Sequence, residues 1–221
     1  MTEFSTFVLC SRPVNTVDVN RSHFEKQQLP LTVIDNKDKS ILYGRQKGYE
    51  TADSFFISFI DDDDISKLTS EHVKQITDNY TTPVYTNSYR VDKNQRTLLT
   101  PSTFKKWSLD AEKNRITKPH QTMVIKTETA VEFTRLSIKL INMKKWPESI
   151  FDYVFRILIS FELGWDYFPE VTYDWMICGV DQQHLRDRFI YYEISNYFFK
   201  YANIRNSPSY EIEKTLLLNS S

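Results

Sequence analysis

Three short apolar runs, separated by stretches of helical character, constrain this 221-residue chain more than any other feature. They are residues 4–10 (FSTFVLC), 31–34 (LTVI) and 55–60 (FFISFI, broken only by Ser58). Between them, residues 15–27 read as a helix with Val19 and Phe24 as inward candidates. Residues 40–52 read as a second helix, weakened by Gly44 and Gly48. A third is expected over residues 64–78, where Ile65, Leu68, Val73 and Ile76 share one face. Alternating strands and helices imply a sheet with helices on both faces, and near-continuous apolar strands fit burial on both sides. The expectation is an α/β, Rossmann-type domain with a mostly parallel sheet and a C-terminal helical extension.

The second half reads differently. Residues 83–89 and 95–99 are hairpin candidates, 123–126 a short strand, and 148–162 and 182–202 helices. The economical division is one domain over residues 1–180, with halves at 1–80 and 81–180, then a helix and polar tail over 181–221.

Composition narrows the function classes. With 40% hydrophobic and 26% charged residues, the chain has a globular balance. A net charge of -1 gives no global attraction to nucleic acid. Residues 90–126 are a local exception: nine Lys and Arg against three acids leave a net of +6 there. Cys10 and Cys178 form neither a disulfide framework nor a zinc signature, which fits a reducing, cytoplasmic setting. The start lacks a basic segment followed by a long apolar one, and no run approaches the roughly 18 apolar residues of a membrane span.

The acidic run Asp61-Asp62-Asp63-Asp64 follows the third apolar strand directly. Four adjacent carboxylates repel one another, and by itself such a run reads as a solvated loop. Its place matters more, because open α/β sheets bind ligands beyond the carboxyl ends of their strands. Carboxylates there are hard oxygen ligands suited to Mg²⁺ or Mn²⁺. A cation bridging them to a diphosphate would neutralise charge on the leaving group.

The stretch Gly44-Arg45-Gln46-Lys47-Gly48, then Ala52, then Phe55-Phe56-Ile57-Ser58-Phe59-Ile60-Asp61-Asp62-Asp63-Asp64 resembles the core of family 2 glycosyltransferases. That family reads A-R-N-x-G, then Ala four residues on, then an apolar strand ending D-x-D-D. The spacing matches without a gap, with Gly44 for Ala, Gln46 for Asn and Ser54 for Gly. Upstream, Thr32-Val33-Ile34-Asp35-Asn36 resembles the family strand ending V-V-D-D, with Asn36 in place of the second acid. The likeness covers residues 31–64 and, more loosely, 4–80.

The resemblance implies a GT-A fold and sugar transfer from a nucleotide-sugar donor. Residues 1–80 would hold the donor and 81–180 shape the acceptor site. Asp35 would help hold the nucleotide base, Asp61 the ribose, and Asp63 with Asp61 a Mn²⁺ or Mg²⁺ ion. Asp62 would be a spacer. Arg45 would lie near the diphosphate or brace the acidic loop; its bland reading is a surface residue pairing with Glu50 or Asp53.

Sugar transfer of this kind needs a carboxylate to take the acceptor proton. Pro169-Glu170-Val171-Thr172-Tyr173-Asp174-Trp175 resembles the family's late x-D-W helix start, with Tyr173 for Glu, and makes Asp174 the candidate base. An ordinary acid at a helix N-terminus is its bland counterpart; Asp166 and Glu170 are fallbacks. Gln183-His184-Leu185-Arg186 resembles a Q-x-x-R-W motif of processive synthases, but Asp187 replaces Trp and no membrane helix accompanies it. Acceptor-side candidates are His120, Lys105 and Lys106, because the basic island falls on that side.

An anionic acceptor follows: a phosphorylated glycan or lipid, or a hydroxymethylated base in bacteriophage DNA, where phosphate contacts would make binding salt-dependent. A phage-encoded protein would work in the host cytoplasm. Two other classes compete. A nucleotidyltransferase would carry a Gly-rich signature that residues 8–20 lack, and a non-catalytic nucleotide-sugar-binding module would not need the intact acidic set. The D-x-D-x-D-G spacing of a calcium loop is absent.

Overall fold

The computed structural model describes residues 2–11, 15–37, 39–92, 95–99, 123–176, 190, 193–194 and 196–198. Eight strands form one sheet: β1 Thr2–Cys10, β2 Leu31–Asp35, β3 Ser54–Asp61, β4 Ile65–Ser66, β5 Val84–Asp92, β6 Gln95–Leu99, β7 Met123–Lys126 and β8 Asp166–Met176. Among the described residues the bounded α-helices are α1 Asn15–Lys26, α2 Ile41–Glu50, α3 Ser70–Asn79, α4 Thr127–Lys144 and α5 Phe151–Glu162. No helix among the described residues is long and apolar enough to cross a membrane.

The sheet runs β2-β1-β3-β7-β5-β8-β4, with β6 beside the far end of β5. It is mixed, which corrects the expectation of a mostly parallel sheet. Among the described strands, β1 pairs in parallel with β2 and β3, and β5 with β8. The other pairings, β3 with β7, β7 with β5, β5 with β6 and β4 with β8, are antiparallel. The four-residue β7 causes the difference, because it enters from the second half and lies antiparallel to both its neighbours. Two reversals restore direction, so β1, β2, β3, β5 and β8 all point their carboxyl ends to one edge.

Both faces of the sheet are buried, as its apolar strands require. Phe7, Leu9, Ile57 and Phe59 face α2, α4 and α5 in the largest core cluster. Their alternates Phe4, Val8, Phe56 and Ile60 lie in the clusters formed with α1 and α3. Burying one such aliphatic or aromatic side chain contributes about 1.5–3 kcal/mol, so this period-two sharing holds the three layers together. Ile194 and Phe198, from the C-terminal region, join the largest cluster, and the Trp146 indole donates to Glu193 at 2.9 Å.

Three local readings change. In α1 the inward residues are Val17, Asn20 and Phe24, while Val19 is 48% exposed. The third helix begins at Ser70 rather than 64, because Ile65 and Ser66 pair with β8 as strand and Thr69 caps the helix. Thr69 and His72 form a reciprocal capping box there. The longest helix among the described residues, α4, is absent from the expectations above, although its buried residues Ala130, Phe133, Thr134, Ser137, Leu140 and Ile141 keep helical spacing. Half of them are small or polar, which hid the stripe.

Helix α2 approaches β1 unusually closely, and its two glycines permit this. A Cβ on Gly48 would stand 2.4 Å from the Phe7 ring, and one on Gly44 2.6 Å from Asn36 Oδ1. Replacing Gly by Ala inside a helix ordinarily stabilises by up to about 1 kcal/mol. Here Phe7 is locked in the core, so Gly48→Ala is expected to destabilise by about 1–3 kcal/mol through overpacking. Urea unfolding should show a lower midpoint with an unchanged slope.

Candidate functional site

The shared edge gathers chemistry-bearing residues. Cys10 ends β1, Asp35 ends β2 and Asp61 ends β3, with Cys10 in register with Asp35 and Leu9 with Asp61. Beyond β3 the chain turns through Asp62, Asp63 and Asp64 into β4, which pairs with β8 at Asp174 and Tyr173. The end of β8 is therefore beside the acidic turn. Asp35 is exposed, and its side chain accepts from the Lys37 N–H at 3.1 Å.

The four aspartates have different surroundings. Asp62 is buried; its carboxylate accepts from the Ser11 N–H at 2.8 Å and its carbonyl from the Thr16 hydroxyl. It ties the turn to the β1–α1 connection and is more than the spacer expected of it. Asp64 is also buried, accepting from the Tyr173 hydroxyl at 2.5 Å and the Met176 N–H at 2.7 Å. Burial, with the Asp61 charge in support, pushes its carboxyl up to about 8. Asp64 thus fastens the turn to β8. Asp61 and Asp63, the alternate pair, are only half-buried. Burial pushes Asp61 up to about 6 against the pull of Arg45, with Asp152 and Asp63 adding to the rise.

Asn20 completes the frame. It is wholly buried, donates to the Asp64 carbonyl at 2.8 Å and accepts from the Ser66 N–H at 2.9 Å. The sequence reading overlooked it. The available signal was its spacing from Val17 and Phe24, which puts a polar residue on the inward face of α1.

Arg45 braces the acidic turn, and its surface reading is excluded because it is 2% exposed. Its Nη2 donates to Asp61 Oδ1 at 2.9 Å and to Asp152 Oδ2 at 3.1 Å. The guanidinium carbon lies 3.4 Å from the centroid of the Phe59 ring. Phe59 and Asp61 project from the same face of β3, so one side chain can stack on the first and pair with the second. Burial would lower the Arg45 pKa, but Asp152 and Asp61 outweigh it and hold the group above its usual range. Glu50 pairs instead with Arg135.

Asp174 belongs to β8, which corrects the expectation of a helix start. An eleven-residue strand replaces the helix because β8 finds partners along its length, β5 on one edge and β4 on the other. Its carboxylate is buried; Arg96 Nη2 donates to Oδ1 at 2.7 Å and Lys67 Nζ lies 3.6 Å from Oδ2. Both cations are about half exposed. Arg96 stacks on Tyr89 at 4.3 Å on the Asp174 face of the sheet, while the Arg90–Trp175 pair, at 5.7 Å, lies on the other face. The fallback Asp166 begins β8, eight residues away, and accepts from Thr82. Glu170 is exposed. Lys105, Lys106, His120 and the motif at 183–186 lie outside the described residues.

No group of three His, Cys, Asp or Glu side chains is placed to hold a metal among the described residues. A divalent cation in a nucleotide site commonly takes one or two carboxylates and completes its shell with phosphate oxygens and water. Asp61 and Asp63 fit that lighter demand: both are hard oxygen donors on alternate positions of one turn. A cavity of about 550 Å³ between α2 and α4, lined by Tyr49, Ala52, Val131 and Leu136 among others, lies by the opposite edge of the sheet.

No family model matches the chain, and no curated protein matches it by sequence. Solved structures of S. aureus TarS do match. The TarS 1–349 structure in complex with UDP-GlcNAc superimposes with a TM-score of 0.55 at 15% identity, over 98% of this chain and 70% of that one. The complex with UDP gives 0.52 at 12%, over the same shares. A longer TarS chain gives 0.54 at 15%, and there this chain covers 98% of itself but 42% of TarS. At such identities the likeness establishes the fold: a TarS-like GT-A architecture with a mixed sheet.

The Asn20 clamp has a measurable consequence. Asn20→Ala leaves the Asp64 carbonyl and the Ser66 N–H without their partner in a buried setting. At roughly 1–3 kcal/mol for each such group, the variant is expected to lose about 2–6 kcal/mol of stability in urea unfolding, against little change for the exposed Val19→Ala.

Proposed function

We propose that this chain is a metal-dependent glycosyltransferase, moving a sugar from a nucleotide-sugar donor to an acceptor hydroxyl. The observation that carries the reading is the acidic turn at the carboxyl edge of the sheet, with Arg45 buried against Asp61. The fold supports it, because TarS, which shares it, has been solved with UDP and with UDP-GlcNAc.

In this reading the donor lies across the ends of β1, β2 and β3, with Asp35 towards the nucleoside and Asp61 towards the ribose. Asp61 and Asp63 hold Mn²⁺ or Mg²⁺. A bound cation would neutralise charge on the departing diphosphate. Asp62 and Asp64 keep the turn in shape through the Ser11 N–H, Tyr173 and Met176. Asp174 takes the proton from the acceptor hydroxyl, positioned by Arg96 and Lys67.

The acceptor is anionic. Lys67 and Arg96 stand beside Asp174, with Tyr89 beneath the Arg96 guanidinium. Such a patch suits phosphate together with a flat ring or sugar face. A phosphorylated glycan or lipid and a hydroxymethylated DNA base are the two acceptor classes.

Calorimetry with UDP, GDP and other nucleoside diphosphates, with and without Mn²⁺, tests the donor side. Metal-dependent binding is expected, and Asp63→Ala should abolish it. No metal-dependent binding to any of them would sink the assignment. On the acceptor side, Asp174→Asn should leave diphosphate binding intact while lowering turnover by about 10²–10⁴-fold, the usual worth of a general base. Duplex DNA binding that weakens steeply with salt would select the nucleic-acid acceptor; salt-insensitive or absent binding would remove it.

A further inference from the structure

Arg45 is paired in an uneconomical way. A guanidinium carries five N–H donors in a planar fork that suits two parallel bonds to one carboxylate. Here a single nitrogen, Nη2, serves two carboxylates, Asp61 and Asp152. The buried Nε and Nη1 of Arg45 and the buried Oδ1 of Asp152 make no hydrogen bond. An arrangement that leaves three buried polar atoms without partners costs stability and has no advantage as a simple anchor.

Resting on the functional reading above, we infer that Asp152 is a positioning residue that keeps Asp61 available to a cation by competing for the same guanidinium. The trio of Asp61, Arg45 and Asp152 carries one net negative charge. With Asp152 in place, Arg45 cannot neutralise Asp61 fully, and the Phe59 ring at 3.4 Å limits how the guanidinium plane can turn. Without the Asp152 charge, Arg45 closes on Asp61 alone and makes it a weaker oxygen ligand.

Asp152 stands in the first turn of α5, where an acid is favoured by the helix dipole alone. That account does not cover its geometry. α5 has no side-chain capping bond at its N-terminus, and Asp152 Oδ2 is engaged by Arg45 instead. The two acidic side chains are equally exposed, 27% each, with the buried guanidinium between them.

Asp152→Asn separates charge from shape, because the amide oxygen can still accept from Arg45 Nη2. Calorimetry of Mn²⁺ with UDP, and of Mn²⁺ alone, would be run on the wild type, Asp152→Asn and Asp152→Ala, with thermal midpoints as a folding control. The expected result is a folded Asn variant whose metal-dependent UDP affinity falls about tenfold, the lower end of the cost of losing a ligand's outer partner. An Asn variant that binds like the wild type, with only the Ala variant impaired, reduces Asp152 to an anchor and overturns the inference while the functional reading stands. Wild-type protein with no metal-dependent nucleotide binding overturns both. Should the Asn variant fail to fold, Asp152→Glu and Asp152→Gln repeat the comparison at matched shape. There the Glu variant must bind Mn²⁺ and UDP more tightly, and equal affinities overturn the inference.

Discussion

Four consecutive carboxylates at the end of a buried strand impose the constraint on which the rest of this structure turns. Like charges so close oppose one another, and withdrawing each from water costs several kcal/mol unless it is paired or hydrogen-bonded. The fold meets this by giving the acids different partners. Arg45 serves Asp61, the Ser11 N–H serves Asp62, and Tyr173 with the Met176 N–H serves Asp64. Those partners come from α2, the connection after β1, and β8. Asp152 adds α5, and Asn20 adds α1. Through these bonds a turn of four residues joins both halves of the chain.

The sheet makes that convergence geometrically available. β7 lies antiparallel between β3 and β5, so β5 and β8 regain the direction of β1, β2 and β3. Their carboxyl ends then share one edge, where ligands of open α/β sheets bind. The parallel register of β8 on β5 and the two-residue β4 bring Tyr173 and Asp174 next to the acidic turn. A sheet face filled by Phe7, Leu9, Ile57 and Phe59 supports the site from below, and close contact between Gly48 and Phe7 sets α2 near enough for Arg45 to reach Asp61.

Errors in the sequence reading have physical causes. Val19 looked inward because it is the more apolar residue, but the helical phase of α1 is set by Val17, Asn20 and Phe24, and Asn20 has a buried polar task. Helix α4 was missed because Thr134, Ser137 and Ala130 make half of its buried stripe small or polar. Asp174 was expected at a helix start because Tyr173-Asp174-Trp175 resembles the x-D-W element of family 2 glycosyltransferases. The strand prevails because β5 offers a parallel partner along most of β8.

Spacing alone determined the first part of this protein: two-sided strands and the helices between them. Arg45 and Asp61 are 16 residues apart, across one helix-to-strand connection, but spacing also allows Arg45 a surface position, and only its burial against Asp61 in the fold decides between the two. Only the tertiary structure decided the other partners. Asp152 lies 107 residues from Arg45, and Tyr173 109 residues from Asp64. Contacts at that range depend on strand order and register, above all on where β7 and β8 enter the sheet. Neither has a local signature, because a strand's pattern of apolar residues says which face is buried and not which strand lies beside it.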